Sequence, residues 1–384
     1  MLIGLDTRNT GRHGGTGVAT YASTLKDACE KAGHKPMLLQ DDGAISQSAH
    51  DFLPRLSRAI RSTAPLRALQ LHRDGYSCND LYRTAEVRDR LWQAATFVES
   101  PRSPAIMHWT YPLPLLWQDI PNVVTIHDLI PVLHPALSGI PRDRIRRRVE
   151  HWCDRATAIV TVSNAVKFDL MAAFGVPEAK IFMSSQPVSF SEPLLDAARH
   201  ADSPCEPDGF LYFGTLERRK NIGRIIDAHS RSRTNRQLTL IGEEGFESDV
   251  ELQKLGQHRA PERVKIVRWC PRPALIRAIK EAHAIVFPSL AEGFGLPIIE
   301  AMALGTPVIT SIGHATEEIA GDAAWLVDAT DTEDLAHAFD TLDRENSLHA
   351  ELSCAGLKRA SESEFNFDMY SQRMSLFYQN LGTE

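Results

Sequence analysis

Two acids and a run of three cations are the residues whose types and spacing could do chemistry. Glu292 and Glu300 stand eight positions apart in "FPSLAEGFGLPIIEAMALGTPVITS", residues 287–311, with Gly293, Gly295 and Pro297 between them. The stretch reads as a strand, a glycine-rich turn and a helix over 298–304. Pro297 suits the first turn of that helix, where its missing N–H would be unpaired anyway. Glu292 then falls in the loop and Glu300 in the first helical turn, so the two acids do not share a helix face. The free N–H groups of such a turn favour a phosphate, and Gly293 and Gly295 let the backbone come close to a ligand. The plainer alternative has Glu300 complementing the helix dipole and Glu292 solvated. The order of strand, glycine loop, proline and helix argues for a ligand instead.

Arg218, Arg219 and Lys220 lie in "LYFGTLERRKNIGRIIDAH", residues 211–229, between a strand ending at Gly214 and a helix beginning near Asn221. Cations at a helix start oppose its dipole by roughly a few tenths of a kcal/mol each. A bound anion would offset that, arginine by forking onto phosphate oxygens and lysine as a point charge. A solvated basic turn is the bland alternative. A third loop, "TRNTGRHGGTGVATYASTL" over 7–25, carries Gly14, Gly15 and Gly17. Its spacing does not fit G-x-G-x-x-G, and no acid ends a second strand ~20 residues on, which argues against a dinucleotide. A flexible turn and a phosphate or acceptor contact both remain open.

His127 and Asp128 follow the strand-like "NVVTI" of 122–126. A lone histidine there is more often structural than chemical. There is no G-x-S-x-G elbow, nucleophilic cysteine signature or H-E-x-x-H, and no Asp-x-Asp follows an apolar strand, so neither a triad nor a metal site is expected. In "PRDRIRRRVEHWCDRATAIV", 141–160, Ile145, Val149, Trp152, Cys153 and Ala156 fall on one helical face, with Arg142, Arg144, Arg146, Arg147 and Arg148 clustered at its start. That cluster is either a solvated face or a contact for an anionic lipid surface or a diphosphate-bearing acceptor.

The elements that must position these groups are those of an α/β protein. A chain of 384 residues suits two domains of roughly 150–200 residues each. Short apolar runs at 2–6, 105–108, 122–126, 158–162, 210–214, 237–241, 264–268, 284–288, 307–310 and 324–327 alternate with helical patterns, as in βαβ units with buried parallel strands. The proline-bearing stretch 187–209 lacks periodicity and reads as the interdomain connection. It divides the chain into a domain over 1–190, a linker over 191–207 and a domain over 208–363, leaving a helix over 364–384 expected to pack back on the first domain. Ligands in doubly wound sheets sit beyond the C-terminal strand ends. The polar clusters follow the strands at 2–6, 122–126, 210–214 and 284–288, two from each half, so the expected site is the cleft between the domains.

A net charge of −7 argues against a nucleic-acid binder. Six scattered cysteines without zinc spacing fit reduced thiols in a cytoplasmic protein. The start "MLIGLDTRNT" reads as a first strand and not a signal peptide. No apolar run approaches the ~20 residues that span a bilayer, so any membrane role would be peripheral, on the inner face of the plasma membrane.

Taken together, "EGFGLPIIEAMALGTPVITS", "GTLERRKN", "TVSNAVKFDL" and "HATEEIAGDAAWLVD" resemble the blocks of the retaining glycosyltransferases of family 4. The likeness is strong over 208–330 and moderate over 120–188. It implies the GT-B fold, two Rossmann-like domains facing a central cleft. It also implies that Glu300 holds the ribose hydroxyls of a sugar nucleotide and that Glu292 contacts the sugar. The backbone at Phe294, Gly295 and Leu296 would meet sugar or phosphate, and Arg219 and Lys220 the diphosphate. Gly214 and Thr215 would line the donor, His127 would sit near the reacting carbon, and Gly15, Thr16 and Gly17 would close over the phosphates or the acceptor. Thr215 stands where many members carry arginine. "HDLIP" and "GTLERRKN" look most like bacterial mannosyltransferases, which implies GDP-mannose as co-substrate, no other cofactor and no metal. The implied acceptor is a glycan or a polyprenyl-diphosphate-linked glycan, with Arg144, Arg147 and Arg148 facing it or a membrane. A nucleotide-sugar epimerase of the same fold and a non-catalytic sensor are the competing readings.

Overall fold

The computed structural model describes residues 1–10, 17–42 and 52–382. The first half builds an eight-stranded sheet in the order β11-β10-β9-β7-β1-β2-β5-β4. These strands are β1 Leu2–Asp6, β2 Lys35–Asp41, β4 Gln70–His72, β5 Gly75–Cys78, β7 Ile106–Trp109, β9 Asn122–Ile126, β10 Ala158–Thr161 and β11 Ile181–Met183. All their pairings are parallel except β4 with β5. A small parallel sheet of β3 Leu66–Ala68, β6 Thr96–Glu99 and β8 Leu115–Trp117 lies beside it. The second half builds a six-stranded parallel sheet in the order β14-β13-β12-β15-β16-β17, from β12 Phe210–Phe213, β13 Leu238–Ile241, β14 Val264–Val267, β15 Ala284–Phe287, β16 Val308–Ser311 and β17 Trp325–Val327.

The strands expected from apolar runs appear within a residue or so of their limits. β9 and β15, for example, are buried at every position, because helices cover both faces of a parallel sheet. Of the strands that apolar runs do not signal, several are half-exposed or very short, while β5 is buried at all four positions. β2 is KPMLLQD with exposed ends, and β3 and β4 have three residues each. The stretch 191–207 is also more ordered than expected, since it contains the helix Glu192–Arg199. Pro193 stands in the first turn of that helix, and Ala198 is buried as it packs on the helix Arg272–Glu281.

The final helix, Phe367–Leu381, lies against the helix Gly17–Lys31 of the first half. Ser371 donates to the Ala28 carbonyl at 2.7 Å, Phe377 stacks on Phe182 at 4.3 Å, and the Tyr378 hydroxyl lies 2.6 Å from His108 Nδ1. Through Tyr370, Met374, Phe377 and Tyr378 one hydrophobic core runs without a break from β1 and Gly17–Lys31 into the six-stranded half. A second core fills the other face of the eight-stranded sheet. Among the described residues no helix is long and apolar enough to cross a membrane.

Candidate active site

Both main sheets aim the C-terminal ends of their strands at one cleft. Its open cavity, of ≈ 400 Å³, is lined by His127, Asp128 and Tyr111 from the first half and by Glu217, Arg219 and Phe246 from the second. Local geometry explains why the loops converge there. Gly295 caps the helix Leu296–Ala303 with φ +99°, a conformation that suits glycine. That cap starts the helix two residues earlier than the sequence suggests, so Glu300 sits in its second turn and not its first, while Pro297 keeps its first-turn place. Gly293 lies against the first half so tightly that a Cβ there would come within 1.8 Å of the His127 carbonyl oxygen. Its own carbonyl accepts the Ser163 hydroxyl at 2.7 Å. Gly17 begins its helix beside Leu296, where an added Cβ would meet the leucine side chain at 3.7 Å. Gly15 and Thr16 lie outside the described residues.

The basic run splits into two directions. Arg218 turns outward to an exposed ion pair with Glu247 at 2.7 Å. Arg219 and Lys220 turn inward. Lys220 Nζ bonds one oxygen of Glu292, Arg219 reaches the other at 3.0 Å, and the Arg219 Nε pairs with Glu217 at 2.7 Å. The Lys220 ammonium also stands 4.5 Å from the centre of the Phe287 ring. Burial pulls the Lys220 pKa down, although the Glu292 charge opposes it. Burial pushes the Glu292 carboxyl up, but Lys220 and Arg219 more than offset that and leave it below the ordinary carboxylate value. For Arg219, burial is outweighed by Glu292, Glu217 and Asp128, which raise its pKa further. The two inward cations are thus held at one carboxylate, Lys220 buried and Arg219 partly open to the cleft.

Glu300 faces the helix Arg272–Glu281, where both guanidinium nitrogens of Arg272 bond its carboxylate, one at 3.3 Å. Arg272 in turn lies over Phe190, 5.7 Å from the ring centre. Gly214, at the tip of β12, has φ +137°, and its carbonyl would meet a Cβ on Gly242 at 1.8 Å, so neighbouring strand tips pass closely. Thr215 is exposed, and its carbonyl accepts the Tyr212 hydroxyl at 2.7 Å. Phe294 is buried.

On the opposite wall, the His127 ring nitrogen Nε2 lies 2.9 Å from the Thr110 carbonyl oxygen. A carbonyl only accepts, so Nε2 carries the proton and Nδ1 the lone pair. Burial holds the His127 pKa below the usual imidazole value, so the ring is neutral at neutral pH. Tyr21 makes a T-shaped contact with the ring, 4.7 Å between centroids.

The arginine cluster behaves differently from expectation. Arg148 is buried and bonds Glu86 at 2.9 Å and Asp89 at 2.5 Å, both on the helix Leu81–Trp92. Arg144 joins the same carboxylates. These two arginines cross-link helices, pairing the buried Asp89 and the half-buried Glu86 with positive charge. Arg147 is exposed. Among the described residues no group of three or more His, Cys, Asp or Glu is arranged to hold a metal.

Sequence reading overlooked Arg272, Tyr111, Thr110, Asp6 and Phe246. Thr110 and Tyr111 follow the C-terminal end of β7, so the rule that ligands gather beyond strand ends could have found them in "HWTYP". The others carry no motif.

Two parallel-sheet domains closing on a shared cleft, with cations and a helix start on one wall, define the GT-B class of glycosyltransferases. The profile of Glycosyltransferase Family 4 matches residues 15–188, and that of Glycosyl transferases group 1 matches 199–359. The chain belongs to glycosyltransferase family 4. It is 29% identical over 258 residues to an O-antigen chain mannosyltransferase B of Escherichia coli, a match covering 62% of this chain and 66% of that one. It is 30% identical over 206 residues to a glycogen synthase of Mycobacterium tuberculosis, covering 52% and 49%. The chain therefore spans under two thirds of the length of these relatives. In fold it is similar to sucrose-phosphate synthase from Thermosynechococcus elongatus, with a TM-score of 0.74 at 19% identity over 100% of this chain and 99% of that one. It is also similar to Anabaena HepE solved with UDP and glucose, with a TM-score of 0.69 at 16% identity over 99% and 100%.

Proposed function

We propose that this protein transfers a sugar, with mannose favoured, from a nucleoside-diphosphate sugar to a glycan or lipid-linked glycan during polysaccharide or lipopolysaccharide assembly, with retention at the anomeric carbon. The observation that carries this reading is that Arg219, paired with the carboxylate of Glu292 that also holds Lys220, lines one cleft with the neutral imidazole of His127. Departure of a nucleoside diphosphate leaves negative charge on phosphate and positive charge on the sugar ring. Fixed cations in a dry site stabilise the first without reorganising. In this mechanism Glu292 holds Arg219 and Lys220 in place until the diphosphate takes them over, and its carboxylate then turns to the sugar hydroxyls. The N–H groups at the start of Leu296–Ala303 add partial positive charge. Glu300, set by Arg272, accepts the ribose hydroxyls. His127 reaches the sugar from the other wall. These residues supply the leaving-group charge themselves, with no bound cofactor assigned to the reaction.

Mannose and GDP rest on the likeness to the O-antigen mannosyltransferase and on the wording of "HDLIP" and "GTLERRKN". Of the three arginines first assigned to acceptor or membrane, Arg147 alone keeps that role in the proposal. A panel of GDP- and UDP-sugars read by thermal shift tests the donor: one at 100 times its Kd adds about 2.7 kcal/mol of stability. Product analysis then separates the outcomes. A new α-linked glycan supports transfer with retention, a donor epimerised without acceptor supports the epimerase, and tight binding with no product on any acceptor supports a sensor.

A further inference from the structure

Asp6 is 1% exposed at the C-terminal end of β1, and its carboxylate is used on both oxygens. Oδ2 accepts the Thr110 N–H at 2.5 Å and Oδ1 the Arg8 N–H at 3.2 Å. Thr110 is the first residue past β7, so its N–H and C=O leave the strand ladder and must find partners elsewhere. Asp6 takes the N–H, and His127 Nε2–H donates to the C=O at 2.9 Å. Strands β1, β7 and β9 are neighbours in the sheet. The three residues therefore form a lateral chain across three adjacent strand tips, and each bond donates in the same direction, from His127 to Thr110 to Asp6.

We propose that Asp6 is the positioning residue of His127: by fixing Thr110 it fixes the carbonyl that sets the tautomer and orientation of the imidazole in the cleft. The chemistry of the site calls for a carboxylate. Two N–H donors arrive on separate oxygens, and an asparagine would turn its amide NH2 toward one of them. Burial lifts the Asp6 pKa to about 6, so the group is still ionised at neutral pH and is kept so at a cost in stability. Its bond to Arg8 also holds the backbone just past β1.

This inference rests on the transferase reading, and its test has one arm that does not. In that arm the long-range ¹H–¹⁵N spectrum of the His127 ring is recorded for wild type and Asp6→Asn. Wild type should show the Nε2–H tautomer and the variant a mixture. An unchanged ring spectrum overturns the proposal whether or not the chain transfers sugar. The second arm is a double-mutant cycle on kcat. Asp6→Asn should lower kcat by about 10–100-fold, the scale for losing the support of a site histidine, with donor KM little changed. In a His127→Ala background the same substitution should cost under about twofold. Equal losses in both backgrounds would mean a structural role and overturn the proposal. Asp6→Ser, which keeps an acceptor and removes the charge, carries the same cycle if Asp6→Asn does not fold.

Discussion

The two walls of the cleft are built by opposite means. The wall from the second half is made of charge: Arg219, Lys220, Glu217 and Glu292 form an ion-pair cluster, buried at Lys220 and Glu292, within one loop pair. The wall from the first half is set through backbone: the neutral ring of His127 is held by the Thr110 carbonyl and a T-shaped contact with Tyr21, with the Asp6 carboxylate behind Thr110. A charged wall suits a diphosphate that gains one further negative charge as the bond to the sugar breaks; a shaped wall with a neutral imidazole suits a sugar ring and an incoming hydroxyl. The contrast also teaches how each wall fails. Removing a charge on one side strips stabilisation from the transition state. On the other side the damage is displacement.

The largest effect should come from the charged wall. Lys220→Ala is expected to lower kcat by about 10²–10³-fold, the loss seen when one preorganised stabiliser is removed. A folded variant with near-normal turnover would mean that the charged wall does not act on the leaving group. Next comes the seam where the walls touch. Gly293→Ala would drive a methyl group into the His127 carbonyl, 1.8 Å from the new Cβ, and the domains must part locally to accept it. Displacement of about 1 Å at a reacting centre costs on the order of 10²-fold. The drop should appear in turnover while the isolated nucleotide still binds; a loss of nucleotide affinity alone would place the damage in the charged wall.

The same contrast explains what the sequence disclosed. The charged wall was legible because its parts are contiguous: Arg218 to Lys220 in one run, and Glu292 to Glu300 in one glycine-rich turn. Even there the direction of each side chain was not. Only the structure separates outward Arg218 from inward Arg219 and shows Arg272, 28 residues before Glu300, as its partner. The wall from the first half was nearly invisible. Asp6, Thr110 and His127 are spread over more than a hundred positions, and both links between them use backbone atoms, which every residue has. Arg144 and Arg148 misled for a related reason. A basic run on a helix looks solvated until the acids that bury it, Glu86 and Asp89 on another helix, come into view.

The smallest effects belong to the donor's far end, and they sharpen the comparison by showing how charge weakens where water reaches it. Glu300→Ala should raise donor KM about tenfold, the scale of a hydrogen bond to a charged group, and leave kcat nearly unchanged. A change in kcat alone would remove Glu300 from ribose binding. Arg272→Ala should do less. Its guanidinium is 40% exposed, unlike the 9% of Lys220, so its pairing with Glu300 is screened and is worth only about 0–1 kcal/mol. The expected rise in donor KM is therefore up to about fivefold, and it should shrink further as salt shortens the Debye length. A loss for Arg272→Ala as large as that for Glu300→Ala, and indifferent to salt, would mean that Arg272 itself touches the nucleotide and that the charged wall extends farther from the reacting carbon than the ion pairs around Glu292.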